Sequence, residues 1–333
     1  MKRVRVKAEN TVPDIKRSRT LKDIHIEVEI DEEEIPVNVF LSVTENDLRD
    51  LENVKTPLNW DRIYNEVVDM RSQFMAPVDT LGCERMPNTL VPGLKTSNPK
   101  VYRFQLLISL MLSSQTKDEV NFEAMKQLHT YLQSAGFSDG LCLPGIQLLT
   151  ISEIDKLICK VGFHNRKASY IKQATDLVVT QFNGDIPNTL QDLVSLPGVG
   201  PKMAHLILQA AWNITDGIGI DVHLHRLANQ WKWTGTKATL TPEKTRQELE
   251  KWLPRRLWQE INPLLVGFGQ AVCVQQKPNC DVCLLAYNGL CASRNKKLVP
   301  KQDQQISPQR IGKITNQRAD LSKLLARYHR ETG

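Results

Sequence analysis

The chain has 333 residues, 41% of them hydrophobic, with 43 Lys and Arg against 37 Asp and Glu, for a formal net charge of +6. That is enough apolar material for a sizeable core in one or two domains with tails, and the order of residues holds no transmembrane run and no signal-peptide pattern. The odd total of seven cysteines then argues against a disulfide framework.

Charge is distributed unevenly along the chain. Residues 1–20 carry seven basic residues against two acidic ones, residues 21–34 carry one against seven, and residues 294–333 carry ten against three. The ends therefore read as polarised appendages: a flexible basic and acidic extension over 1–55 and a basic tail over 293–333. Lys2-Arg3 and Lys16-Arg17-Ser18-Arg19 read as a nuclear localisation signal or a solvated basic arm. A mitochondrial transit peptide ranks second to the nucleus, because Glu9 and Asp14 break its pattern. Ile24, Ile26, Val28 and Ile30 alternate with polar residues, the spacing of a short strand or a docking segment.

From Trp60 onward the spacing is helical. Trp60, Ile63, Val67 and Met70 mark one amphipathic face. Val101 to Leu112 is apolar nearly all round, as in a helix at the centre of a bundle. Thr241-Pro242-Glu243 and Asn262-Pro263 are helix starts. No alternating run recurs between residues 60 and 290, so the body is predicted to be all-α.

The segment Leu190 to Leu196 has helical spacing, with Leu190, Leu193, Val194 and Leu196 on one side. Pro197 and Gly198 end it, and Pro201 suits the first position of a second helix, with Met203, Leu206, Ile207 and Ala210 on its buried face. Between them, Gly198 and Gly200 are free to take positive φ and to bring bare N–H groups to an anion beside a helix N-terminus. Lys202 falls in the first turn, where the helix dipole disfavours another positive charge. A nucleophilic amine must be neutral, so the position suits covalent chemistry as well as phosphate contact. Asp221, in Ile220-Asp221-Val222-His223, precedes an apolar helical pattern and reads as an N-cap. A capping carboxylate facing a cleft also suits stabilisation of a developing cation.

Cys273, Cys280, Cys283 and Cys291 crowd into the C-terminal fifth as Cys-x6-Cys-x2-Cys-x7-Cys. Four thiols in one short segment read as a metal site, zinc or iron–sulfur, and the single Cys-x-x-Cys pair leans toward iron–sulfur. Cys83, Cys142 and Cys159 are scattered and read as small buried residues.

Together, Leu196 to Lys202, Asp221 in its context and the cysteine segment resemble the endonuclease III family of helix-hairpin-helix DNA glycosylases, over roughly residues 56–292. The resemblance implies two helical domains flanking a DNA-binding cleft, with a C-terminal iron–sulfur loop. Residues 96–215 would form a contiguous domain containing the hairpin, and 56–95 with 216–292 the cluster domain. It implies a bifunctional glycosylase and abasic-site lyase of base excision repair. Its partner would be duplex DNA bearing oxidised pyrimidines or abasic sites, bound by a monomer with no membrane.

Lys202 matches the nucleophile and Asp221 the assisting carboxylate. Leu196, Gly198, Val199 and Gly200 match the DNA-contacting hairpin. Gln115, in Met111-Leu112-Ser113-Ser114-Gln115-Thr116, matches the glutamine that fills the gap left by a flipped nucleotide. Phe163, in Val161-Gly162-Phe163-His164, matches an apolar wedge. Cys273, Cys280, Cys283 and Cys291 match the ligands of a [4Fe-4S] cluster, although the stretch before Cys291 is two residues longer than the family pattern. Two rivals are an adenine-specific glycosylase, against which Lys202 weighs, and a non-catalytic DNA-binding protein with structural zinc.

Overall fold

The structure is a computed structural model that describes residues 38–299 and 319–324. The basic block before residue 20 and the alternating segment Ile24 to Ile30 lie outside the described residues. Among the described residues every regular element is helical and none is a strand, as the sequence spacing requires.

Two hydrophobic cores organise these helices. One is built around Pro99–Ser113, which is apolar on all sides: Leu106, Leu107, Ile108 and Leu112 are fully buried. A helix with no polar face must be covered all round. It packs against Asp118–Ser134, His164–Gln181 and Pro201–Trp212, the last of which starts at Pro201 as expected. The hairpin residues Leu193, Leu196 and Val199 belong to this core. Val194, expected beside Leu193, is 40% exposed.

The other core joins the start and end of the body. Trp60, Ile63, Val67 and Met70 from Trp60–Arg71 pack with Ile218 and Ile220, with the helices Val222–Gln230 and Ile261–Ala271, and with the cysteine segment. Its interior holds a chain of aromatic contacts, with ring centroids at 5.1 Å for Trp60–Trp252, 5.7 Å for Trp233–Trp252 and 5.0 Å for Trp231–Trp233. The Arg71 guanidinium is buried here and donates to Leu264 O at 3.2 Å, Phe74 O at 3.2 Å and Asp79 Oδ1 at 2.7 Å. Five N–H donors in a rigid fork allow one arginine to tie three backbone segments together.

Three boundaries differ from the sequence reading. Met86 and Leu94 pack in the core around Pro99–Ser113 rather than with Trp60, because the helices Met86–Leu90 and Leu94–Ser97 lie against that central helix. Residues 38–55 are part of the body: Val43 is buried, and the helix Glu45–Asp50, with a Thr44/Asp47 capping box, is anchored by an Asp47–Arg256 ion pair. Ala319, Leu321 and Leu324, within the predicted tail, are buried in the same core as Trp60.

Candidate functional site

The hairpin between Leu190–Ser195 and Pro201–Trp212 uses its glycines differently from each other. Gly198 has φ +85°, and a Cβ there would stand 2.8 Å from the Tyr170 ring, so both conformation and space demand glycine. Gly200 instead has φ −100° and serves as the helix N-cap, where extended backbone is normal for any residue. Leu196 and Val199 turn their side chains into the core, at 1% and 6% exposure, and the Val199 N–H donates to Leu196 O at 3.1 Å. Their packing shapes the hairpin. Any anion would meet the glycine backbone and the unpartnered N–H groups of the next helix's first turn.

Lys202 is exposed in that first turn. It lies near the loop after Pro77–Leu81. Burial pushes the Cys83 thiol up to about 11, and Lys202 is the cation that opposes the effect. Asp221 is buried and caps Val222–Gln230, accepting the Leu224 N–H at 2.7 Å. Its approach to the hairpin helix depends on two glycines that the sequence reading passed over. A Cβ on Gly219 would stand 2.8 Å from Leu206 and 3.6 Å from the Lys202 carbonyl oxygen; one on Gly217 would stand 2.5 Å from the His205 ring. These close approaches bring the strand of chain leading to Asp221 against the helix that carries Lys202.

Gln115 and Phe163 come together with the hairpin. A cavity of about 230 Å³ is lined by Gln115, Phe163, Arg166, Lys167, Tyr170 and Gly198. Gln115 is exposed with φ +52°, and Phe163 is 60% exposed with φ +58°. Exposure excludes a core role for Phe163. Left-handed backbone is costly for residues other than glycine and tends to be retained where function needs it. Gly162 lets the two turns touch, since a Cβ there would stand 2.8 Å from the Gln115 carbonyl oxygen. Beneath the Gln115 turn, the Lys167 ammonium donates to Leu112 O at 2.6 Å, Ser114 O at 2.7 Å and Thr116 Oγ1 at 3.1 Å, and burial pulls its pKa down to about 8. The sequence reading quoted Lys167 only as context. Its position four residues after Phe163, one helical turn on, was the available signal.

The histidines that the motifs surround have local partners. His164 Nδ1 lies 2.6 Å from Asp155 Oδ1, His225 Nδ1 lies 2.6 Å from Thr245 Oγ1, and the His223 ring presses on Gly269.

All four C-terminal cysteines line one cavity of about 180 Å³. Cys280, Cys283 and Cys291 are buried and Cys273 is partly buried. Polar donors point at the sulfurs. Gln230 Nε2 lies 3.8 Å from Cys273 Sγ and 3.6 Å from Cys291 Sγ, Arg226 Nη1 lies 3.6 Å from Cys273 Sγ, and the Asn295 N–H lies 3.4 Å from Cys280 Sγ. The longer stretch before Cys291 is taken up by a helical turn, Leu284–Tyr287, and by Gly289 at φ +73°, after which the Cys291 N–H donates to Leu285 O at 3.0 Å. Burial raises the Cys280 and Cys283 thiols, so metal would have to displace their protons. Among the described residues no three His, Cys, Asp or Glu side chains converge on a single-ion site. Donors aimed at the sulfurs would suit thiolates holding a metal group.

A helix-hairpin-helix joined to an aspartate-capped helix defines a class, and comparison agrees: residues 108–255 match the HhH-GPD superfamily of base excision DNA repair proteins. Within it, the chain belongs to the endonuclease III family. It is 45% identical over 239 residues to the Mus musculus Endonuclease III-like protein 1, covering 71% of this chain and 75% of that one. It is 46% identical over 241 residues to the Schizosaccharomyces pombe Endonuclease III homolog, covering 72% of this chain and 64% of that protein's length. With the Saccharomyces cerevisiae Endonuclease III homolog 2 the identity is 40% over 263 residues, 77% of this chain and 68% of that one. The fold resembles that of a trapped endonuclease III–DNA covalent intermediate, with TM-score 0.53 at 23% identity over 65% of this chain and 95% of that one. A non-covalent endonuclease III–DNA complex gives TM-score 0.52 at 24% identity over the same shares. Among the described residues no helix is long and apolar enough to cross a membrane.

Proposed function

We propose that this protein is a base excision repair DNA glycosylase that also cleaves the abasic strand, acting on oxidised pyrimidines in duplex DNA. The observation that carries the reading is an exposed Lys202, directly after a glycine hairpin, together with a buried Asp221 two residues after Gly219, which lies against the same helix. A DNA phosphate meets the N–H groups of the hairpin and the helix start. The damaged nucleotide leaves the stack, and Gln115 and Phe163 occupy the space it vacates.

The neutral Lys202 amine attacks the anomeric carbon of the deoxyribose. A C–N bond forms while the glycosidic bond breaks, and the base departs with the electron pair and takes up a proton. Asp221 stabilises the positive charge that develops on the sugar. Ring opening gives a protonated Schiff base, which acidifies the neighbouring C2′ proton. Loss of that proton expels the 3′ phosphate by β-elimination, and water then hydrolyses the imine and frees Lys202.

Cys273, Cys280, Cys283 and Cys291 are the residues that would hold a [4Fe-4S] cluster, and the shared cavity and its donors support this. When bound, the cluster shapes the DNA-facing surface and takes no part in bond breaking. The domain division proposed is a hairpin lobe and a cluster lobe with Lys202 and Asp221 between them, working as a monomer. The basic N-terminal block supports a nuclear location.

Borohydride reduction of a reaction on a thymine-glycol duplex tests the proposal. Wild type is expected to give a covalent protein–DNA adduct and Lys202→Gln none. An adduct at wild-type yield from Lys202→Gln would overturn the assignment. A panel of lesions run alongside identifies the preferred base.

A further inference from the structure

We infer that Lys167 is a positioning residue that locks the Gln115 turn in the conformation in which Gln115 enters DNA; the inference rests on the proposed DNA role of Gln115. The last carbonyls of a helix have no intrahelical partner, and here the helix Pro99–Ser113 ends two residues before Gln115. Lys167 supplies the missing donors. Its three N–H groups meet three acceptors that bracket Gln115 on both sides: Leu112 O, Ser114 O and Thr116 Oγ1. Lys167 is 5% exposed, and its ammonium is directed at the carbonyls and hydroxyl of this turn.

The same helix, His164–Gln181, has Phe163 as its N-cap residue. Phe163 and the clamp on Gln115 are therefore carried by one helix, within its first turn. Gln115 keeps a φ of +52° that an unrestrained glutamine would leave. An apolar residue at position 167 would fill the space but would take the ammonium donor from Leu112 O and leave Ser114 O and the Thr116 hydroxyl only their contact with each other, releasing the turn. Burial of the ammonium is unfavourable in itself and pulls its pKa down, and the three hydrogen bonds to this turn offset that cost.

The test is a double-mutant cycle on the full chain, read as affinity for a duplex carrying a tetrahydrofuran abasic analogue. Lys167→Met is expected to weaken binding about ten-fold when Gln115 is present and less than about two-fold in a Gln115→Ala background. Factors that multiply independently would overturn the inference, as would wild-type affinity in either single variant. If Lys167→Met fails to fold, Lys167→Gln, whose shorter neutral side chain cannot reach all three acceptors, is carried through the same cycle, where a weaker loss confined to the Gln115 background is expected and an equal loss in both backgrounds overturns the inference. Failure of the enzymatic reading shows differently: wild type then gives no borohydride adduct, while the binding cycle still reports the coupling.

Discussion

Gln115 and Phe163 line one cavity from two separate turns, each held in left-handed backbone and each open to solvent. The turns meet at Gly162, where the Gln115 carbonyl oxygen occupies the space a Cβ would need, at 2.8 Å. Gly162→Ala must therefore push one turn away from the other, because the obstructing atom belongs to backbone. The expected cost is about 1–3 kcal/mol. Thermal melting should show a lowered Tm, and affinity for the abasic-analogue duplex should fall although position 162 carries no side chain. Unchanged affinity would mean that the two turns act independently.

Arg71 and Asp79 form a buried ion pair whose arginine also serves two carbonyls. Removing one partner leaves an uncompensated charge, so Arg71→Met is expected to cost about 3–5 kcal/mol, measured by urea unfolding. Arg71→Met combined with Asp79→Leu should recover part of that loss. A double variant as unstable as the sum of the two singles would show that the carbonyl contacts, rather than the charge pair, dominate.

The Asp47 carboxyl is held down at about 2, chiefly by its hydrogen bond from Arg256, against an ordinary value of 3.8. A folded-state pKa below the unfolded value means that the unfolded chain binds the proton more readily. The stabilisation is therefore complete above about pH 4 and is lost as pH falls through about 2, with a size of about 1–2 kcal/mol after allowance for solvent at the partly open Arg256. Asp47→Asn should remove this step from the acid unfolding curve. It should also free the helix Glu45–Asp50 from the body, visible as faster amide exchange there.

The four C-terminal sulfurs share a cavity despite the lengthened stretch before Cys291. Cys291→Ser is expected to lower the visible absorption of the purified protein, its iron content and its Tm together. Cys159, which is exposed and scattered in the chain, is the control, and Cys159→Ser should leave all three unchanged. Full iron content in Cys291→Ser would remove the fourth ligand from the assignment.

Much of this molecule was legible from local patterns. The all-round apolar run Val101 to Leu112 required a central helix, and Pro201 and Asp221 marked the helix starts that the structure shows. The Gly198 turn and the cysteine spacing were equally plain, because backbone conformation and ligand spacing are set within a few residues. Exposure was less legible. Leu196 and Val199 look alike whether they face a ligand or a core, and only packing against Pro99–Ser113 and its neighbours buries them. Residues 38–55 looked like a solvated arm until the Asp47–Arg256 pair tied them to a helix turn more than two hundred residues away.

The sequence by itself determined the helical class, the hairpin, its lysine, the capping aspartate and the thiol set, all of which follow from periodicity and side-chain chemistry at short range. Only the tertiary structure decided which distant residues meet. It set Lys167 beneath a turn 53 residues earlier in the chain, placed Gln230 against Cys291 and used Gly162 to press Phe163 toward Gln115. Those meetings depend on how two cores pack as wholes, and no local stretch of sequence contains that sum.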